Sequence, residues 1–138
     1  MFRFEGADHL TEDAIRIRQE VFVEEQGFVV EFDDRDSVST HIVLYDGTVP
    51  VGVCRIVPED GGLCSIGRVA VSKPYRGRSL GSEIMREAES VARSRGVAQV
   101  FVSAQVRAMP FYESLGYTAE GEQYMDEHCP HIRMRKVL

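Results

Sequence analysis

The sequence predicts an α/β fold in which a mixed, mostly antiparallel central sheet carries helices on both faces. Three observations predict it. Three apolar runs, at 41–45, 49–57 and about 63–72, are separated by the turn sequences Asp46-Gly47 and Asp60-Gly61-Gly62, as an antiparallel meander requires. Two other stretches change to a spacing of three or four residues, the period of an amphipathic helix. The last strand of the meander then passes through a basic, glycine-containing loop into the second of those helices.

In order, residues 1–5 form a short first strand. Leu10, Ala14, Ile17 and Val21 mark a helix with Asp8 as its N-cap, Glu12 and Asp13 in its favourable first turn, and Gly27 at its end. Residues 28–37 are an acidic, irregular link into the meander. After the basic loop, Leu80, Ile84, Ala88 and Val91 place a helix that stops at Gly96. Val97 to Ser103 reads as a buried strand, Arg107 to Leu115 as a short helix, and 118–127 with 131–137 as a final strand pair. The meander followed by β-α-β-α-β-β gives the mixed sheet.

With 138 residues, residues 1–138 are expected to fold as one domain. The net charge of −6 argues against nucleic acid, which demands a basic stripe. Apolar runs fall short of the roughly 20 residues that span a bilayer, and Met1-Phe2-Arg3-Phe4-Glu5 lacks the apolar core of a signal peptide. Cys54, Cys64 and Cys129 form no CxxC and leave one thiol unpaired in any scheme, which fits a reducing, cytoplasmic setting. His128-Cys129-Pro130-His131 is too cramped around its proline to hold a metal, so no metal is expected.

Within an acidic chain, the basic knot of Lys73, Arg76 and Arg78 stands out. A strand that feeds a glycine-containing loop and a helix N-terminus presents free backbone N–H groups and the positive end of a helix dipole, a ready site for phosphate. Arg76-x-x-Ser79-x-Gly81 resembles the acetyl-CoA pyrophosphate loop of the GNAT acetyltransferase superfamily, Gln/Arg-x-x-Gly-x-Gly/Ala, with Ser79 in place of the middle glycine. Phe111-Tyr112-Glu113-Ser114-Leu115-Gly116-Tyr117 resembles the FYxxLGY/F segment of the same superfamily. Val21-Phe22-Val23-Glu24-Glu25-Gln26-Gly27 and Pro130-His131-Ile132-Arg133-Met134 resemble its ElaA-type branch, so the likeness covers nearly the whole chain.

The resemblance implies an N-acetyltransferase with acetyl-CoA as donor. It implies that the pantetheine arm pairs with the backbone of Val69, Ala70 and Val71, and that the pyrophosphate sits on the loop of Arg76, Gly77, Arg78, Ser79, Leu80, Gly81 and Ser82. The resemblance also implies that Phe111 and Tyr112 complete the donor site; Ser79 either tightens the approach of the backbone to phosphate, donates its hydroxyl to it, or caps the helix. Tyr112 matches the family tyrosine that protonates the departing thiolate, a task suited to a phenol of pKa near ~10.

An aliphatic amine must lose a proton before it attacks, which costs roughly 4 kcal/mol at neutral pH. Candidate bases are Glu25 and His131, with Glu24 and His41 behind them. The seven carboxylates between Glu20 and Asp36, against the single Arg35, would gather cationic amines if they rim the acceptor pocket. The expected reaction is direct transfer to a small-molecule amine. A protein or peptide acceptor, and a non-catalytic acyl-CoA-binding module, are the alternatives. A homodimer is common among similar proteins.

Overall fold

In the computed structural model, which describes Met1–Leu138, seven strands form one sheet. They are β1 (Phe2–Ala7), β2 (Thr40–Asp46), β3 (Val49–Glu59), β4 (Leu63–Val71), β5 (Gln99–Gln105), β6 (Thr118–Asp126) and β7 (Cys129–Val137). Their order across the sheet is β1-β2-β3-β4-β5-β7-β6, and every pairing is antiparallel except that of β4 with β5.

Helix α1 (Glu12–Arg18) covers one face, where Ala14 and Ile17 pack with Val43, Tyr45, Val53 and Ala70. Helix α2 (Leu80–Ser94) covers the other, burying Ile84, Met85, Ala88 and Ala92 against Ile42, Leu44, Val100 and Met134. The short α3 (Met109–Ser114), which begins with Pro110 in its first turn, joins the α2 side through Tyr112. Gly52 brings α2 close: a Cβ there would stand 2.6 Å from Ile84 Cδ1 and 3.2 Å from the Ala70 carbonyl.

Two features of the first helix differ from the sequence reading. Thr11, not Asp8, is the N-cap, and its Oγ1 accepts from the Ala14 N–H at 3.3 Å. Asp8 is displaced because β1 runs on to Ala7, opposite His41. The helix also does not continue as one α-helix to Gly27. It widens into a π-helical stretch over Gln19–Glu25, with the Gln26 N–H donating to Val21 O at 3.1 Å. Such widened turns are rare and concentrate at functional sites; here the widened segment and the residue after it bring Phe22, Glu25 and Gln26 to the central cleft.

Two irregularities in β4 shape that cleft. The strand pairs with β5 only over Leu63–Ser65 with Gln99–Phe101 and then parts from it. It also carries one extra residue opposite β3, between the pairs Arg55↔Gly67 and Val53↔Ala70, with Arg68 in the left-handed region at φ 53°. The extra residue switches faces, so Ile66 packs under α2 and Ala70 packs under α1.

Candidate active site

Where β4 and β5 part, a cleft of about 430 Å³ opens, floored by Ile66, Gly67 and Val69 and walled by the π-helical stretch, the end of β5 and the β6–β7 hairpin. Val71 and Ala70 pair with Gly52 and Val53 of β3, while their opposite edge has no strand neighbour. The geometry suits an added strand there, although the Val71 carbonyl already accepts from Arg76 Nε at 2.9 Å.

At the end of β4 the chain turns through Lys73–Tyr75 into α2. None of the backbone N–H groups from Gly77 to Ser82 finds an acceptor in the protein. Gly77 and Ser79 are both left-handed, at φ 81° and 59°, and together aim this row of donors outward. Ser79 is thus held in a conformation that glycine adopts at no steric cost. Its hydroxyl makes no cap hydrogen bond, which removes the capping role expected for it. Gly81 serves packing as well, since a Cβ there would meet the Phe111 ring at 3.3 Å. Leu80 anchors the loop in the core, and Arg78 lies over the Tyr75 ring at 5.0 Å. Residues present in this loop fit a pyrophosphate: free donors, a helix N-terminus and no acidic side chain from Lys73 to Ser82.

Arg76 is not a mobile charge. Its Nη1 and Nη2 donate to the two oxygens of Glu25 at 2.6 and 2.8 Å, and its Nε holds the end of β4. The same hydrogen bonds hold the Glu25 carboxyl below the usual range. Glu25 lines the cleft, but a carboxylate clamped and depressed in this way is a poor proton acceptor, which counts against its assignment as base. Glu24 is exposed outside the cleft, and His41 is buried in β2 with Nε2 on the Asp36 carbonyl at 2.8 Å.

Tyr112 and His131 both line the cleft. The Tyr112 phenol is pushed well above its ordinary pKa by burial and by the nearby Cys54, with no hydrogen bond within the protein. His131, 6% exposed, sits with Nδ1 2.9 Å from the Cys129 carbonyl. A carbonyl can only accept, so the neutral ring carries its proton on Nδ1 and leaves Nε2 as the free base. Phe28 packs against this ring edge-on at 6.3 Å and Tyr124 stacks on it at 6.1 Å. Tyr117, by contrast, belongs to the core, where its hydroxyl donates to Glu89 Oε2 at 2.7 Å.

The acidic link is not a solvated rim. Asp36 pairs with Arg18 at 2.8 Å and with Arg55 at 3.0 Å, Asp33 with Arg55 at 2.7 Å, and Glu31 with Arg18 at 2.9 Å and Arg68 at 3.0 Å. Three carboxylates are thereby engaged by three guanidinium groups, and steering of cationic amines by this segment loses its basis. Arg68 itself reaches the cleft and escaped the sequence reading; its one signal there was a charge inside the apolar run Ile66–Val71. Two further contacts close the site. Glu127 accepts from the N–H groups of Val29 and Val30, both at 2.8 Å, and Gln26 accepts from Gln105 Nε2 at 2.9 Å across the mouth.

A family model described as an acetyltransferase (GNAT) domain matches residues 7–138. The chain is 38% identical over 127 residues to the uncharacterised N-acetyltransferase YjcF of Bacillus subtilis, covering 90% of each. It is 30% identical over 130 residues to the protein ElaA of Escherichia coli, covering 90% of this chain and 85% of that one. The crystal structure of Escherichia coli ElaA superposes with a TM-score of 0.85 over 99% of each chain at 26% identity. That of an acyl-CoA N-acyltransferase from Pseudomonas aeruginosa does so with a TM-score of 0.87, 28% identity and 99% coverage of each.

Proposed function

The chain belongs to the GNAT acetyltransferase family, and from that premise we propose that it moves the acetyl group of acetyl-CoA directly to the primary amine of a small molecule, with both substrates held in a ternary complex. The observation that carries this reading is the parting of β4 from β5, which leaves an open strand edge beside a cleft lined by Tyr112 and His131, with the row of free N–H donors following from Arg76 at its margin.

In this reading the N–H groups of Gly77 to Ser82 hold the pyrophosphate, and the open edge of Val69, Ala70 and Val71 holds the pantetheine arm as an added strand. Bound acetyl-CoA supplies a thioester whose carbonyl carbon accepts the amine nitrogen and whose sulfur leaves as thiolate. His131 Nε2 takes the proton that the ammonium must lose. Tyr112 Oη, kept protonated by burial, gives its proton to the sulfur. One C–N bond forms and one C–S bond breaks. The second proton of the attacking nitrogen, lost as the tetrahedral adduct collapses, restores the Tyr112 phenol. The products are thus a neutral amide, a free thiol and one proton on His131 that passes to solvent.

The buried thiols of Cys54 and Cys64 are pushed up by desolvation to about 12 and about 11, so neither is a nucleophile for a covalent route. With Cys129 they are three free thiols in the protein, consistent with the reducing cytoplasm as its place of work.

Calorimetric titration with acetyl-CoA, followed by a thiol-release screen over primary amines, tests the proposal. Saturable one-to-one binding and amine-dependent thiol release are expected. Absence of binding up to millimolar donor would overturn it.

A further inference from the structure

The cleft has charges of both signs, and their arrangement bears on what the acceptor carries besides its amine. On the β4 wall, Arg68 is held by two of its three guanidinium nitrogens. Its Nε and Nη2 donate to the Glu31 carbonyl at 3.2 and 2.9 Å, and Nη2 reaches Asp33 at 3.3 Å. Its Nη1 makes no hydrogen bond within the protein and remains open to solvent. The β4 bulge that holds Arg68 at φ 53° sets this residue in the wall of the cleft.

The surroundings of Arg68 favour an incoming anion. It is desolvated, and the Arg18 and Arg55 guanidinium groups beside it lower its proton affinity. Both oxygens of the cleft carboxylate Glu25 are taken by Arg76, and Glu31 Oε2 is shared by Arg18 and Arg68. On the opposite wall stand Asp126, which has no ion-pair partner, and the His131 base. A cation-binding wall thus faces an anion-binding one across a single cleft.

Resting on the acetyl-transfer reading, we infer that the acceptor is an amino acid-type molecule, a primary amine that also bears a carboxylate, and that Arg68 Nη1 binds that carboxylate while the amine faces Asp126 and His131. The planar guanidinium suits a carboxylate oxygen, and its position next to Val69 puts the acceptor beside the open strand edge.

The test compares β-alanine and 4-aminobutyrate with their methyl esters as acceptors. Wild type is expected to prefer the free acids at least tenfold in kcat/KM, and Arg68→Gln to shrink that preference to within about twofold by raising KM for the acids more than for the esters. Acids and esters within twofold of each other, or an equal loss on both in the variant, would overturn the inference. Because Arg68 also belongs to a buried network, a measurement on wild type accompanies the variant. Calorimetry with coenzyme A present should show N-acetyl-4-aminobutyrate binding at least tenfold tighter than its methyl ester, and equal binding sinks the proposal. If esters and neutral amines are acetylated as well as acids, acetyl transfer stands and only this inference falls. If neither acids nor esters release thiol while the binding preference holds, the acetyl-transfer reading fails instead.

Discussion

Glu25 and Arg76 meet in a two-pronged ion pair, 2.6 and 2.8 Å, that ties the end of the π-helical stretch to the first residue of the phosphate loop. The same guanidinium holds the Val71 carbonyl, so one side chain fixes the positions of the acceptor wall, the end of β4 and the donor loop. In the proposed acetyl transfer, Glu25 is thus a residue that positions the loop rather than one that moves a proton.

Glu25→Gln separates positioning from proton transfer. Both partners are 38% exposed, so the pair is worth no more than about 1 kcal/mol, or roughly fivefold in affinity. The expected outcome is acetyl-CoA binding weakened by up to fivefold, more visibly at low salt, with an unchanged pH profile of kcat. A general base would behave differently, its loss lowering kcat by about a hundredfold or more and reshaping the acid limb.

Ser79→Gly is expected to stabilise the protein. A side chain in the left-handed region costs roughly 1 kcal/mol, and the Ser79 hydroxyl returns no cap hydrogen bond. Tm should rise by a few degrees and acetyl-CoA affinity should be held or improved. A lower affinity for the glycine variant would mean that the hydroxyl donates to the bound phosphate, the other role the sequence left open.

Much of this site is legible in the sequence because it is local. The loop from Arg76 to Ser82 reads from contiguous residues, and so does the aromatic pair Phe111-Tyr112 on a short helix. What escapes is set by registers and by partners far along the chain. Ala14, Ile17 and Val21 keep helical spacing, so nothing in them reports that the helix widens after Arg18. The bulge at Arg68 arises from a one-residue mismatch between two strands, which neither strand records alone. The acidic link read as a possible collector of cationic amines because its counter-charges, Arg18, Arg55 and Arg68, come from three other elements.

That network predicts an acid limit to stability. Burial pushes the Asp36 carboxyl up, but the hydrogen bond and charge of Arg18, the Asp33 N–H and Arg55 outweigh it and bring it from 3.8 down to about 2. A carboxyl depressed in the folded state contributes stability above its unfolded pKa and loses it as pH falls through the folded one. Asp36 should therefore contribute on the order of 2 kcal/mol at neutral pH, lost between about pH 4 and pH 2. Asp36→Asn should lose about 3 kcal/mol at pH 7, because Arg18 at 1% exposure is left short of a partner, and should flatten that acid limb. Urea unfolding of both proteins at several pH values measures it.

Tyr112→Phe removes a hydroxyl with no hydrogen-bond partner in the protein, so folding loses no hydrogen bond with it. Stability should be unchanged or slightly higher, and acetyl-CoA affinity within twofold, while kcat falls by about a hundredfold if this phenol protonates the thiolate. Tyr117→Phe is the matched control. Its hydroxyl donates to the buried Glu89 at 2.7 Å, so that variant should lose roughly 1–3 kcal/mol of stability with kcat little changed at a temperature where it is folded. The two tyrosines stand edge to face with ring centroids 5.8 Å apart, so general loosening of the core would affect both variants alike. Loss of kcat confined to Tyr112→Phe, set against loss of stability confined to Tyr117→Phe, assigns the proton to Tyr112; full activity in Tyr112→Phe removes it from the mechanism.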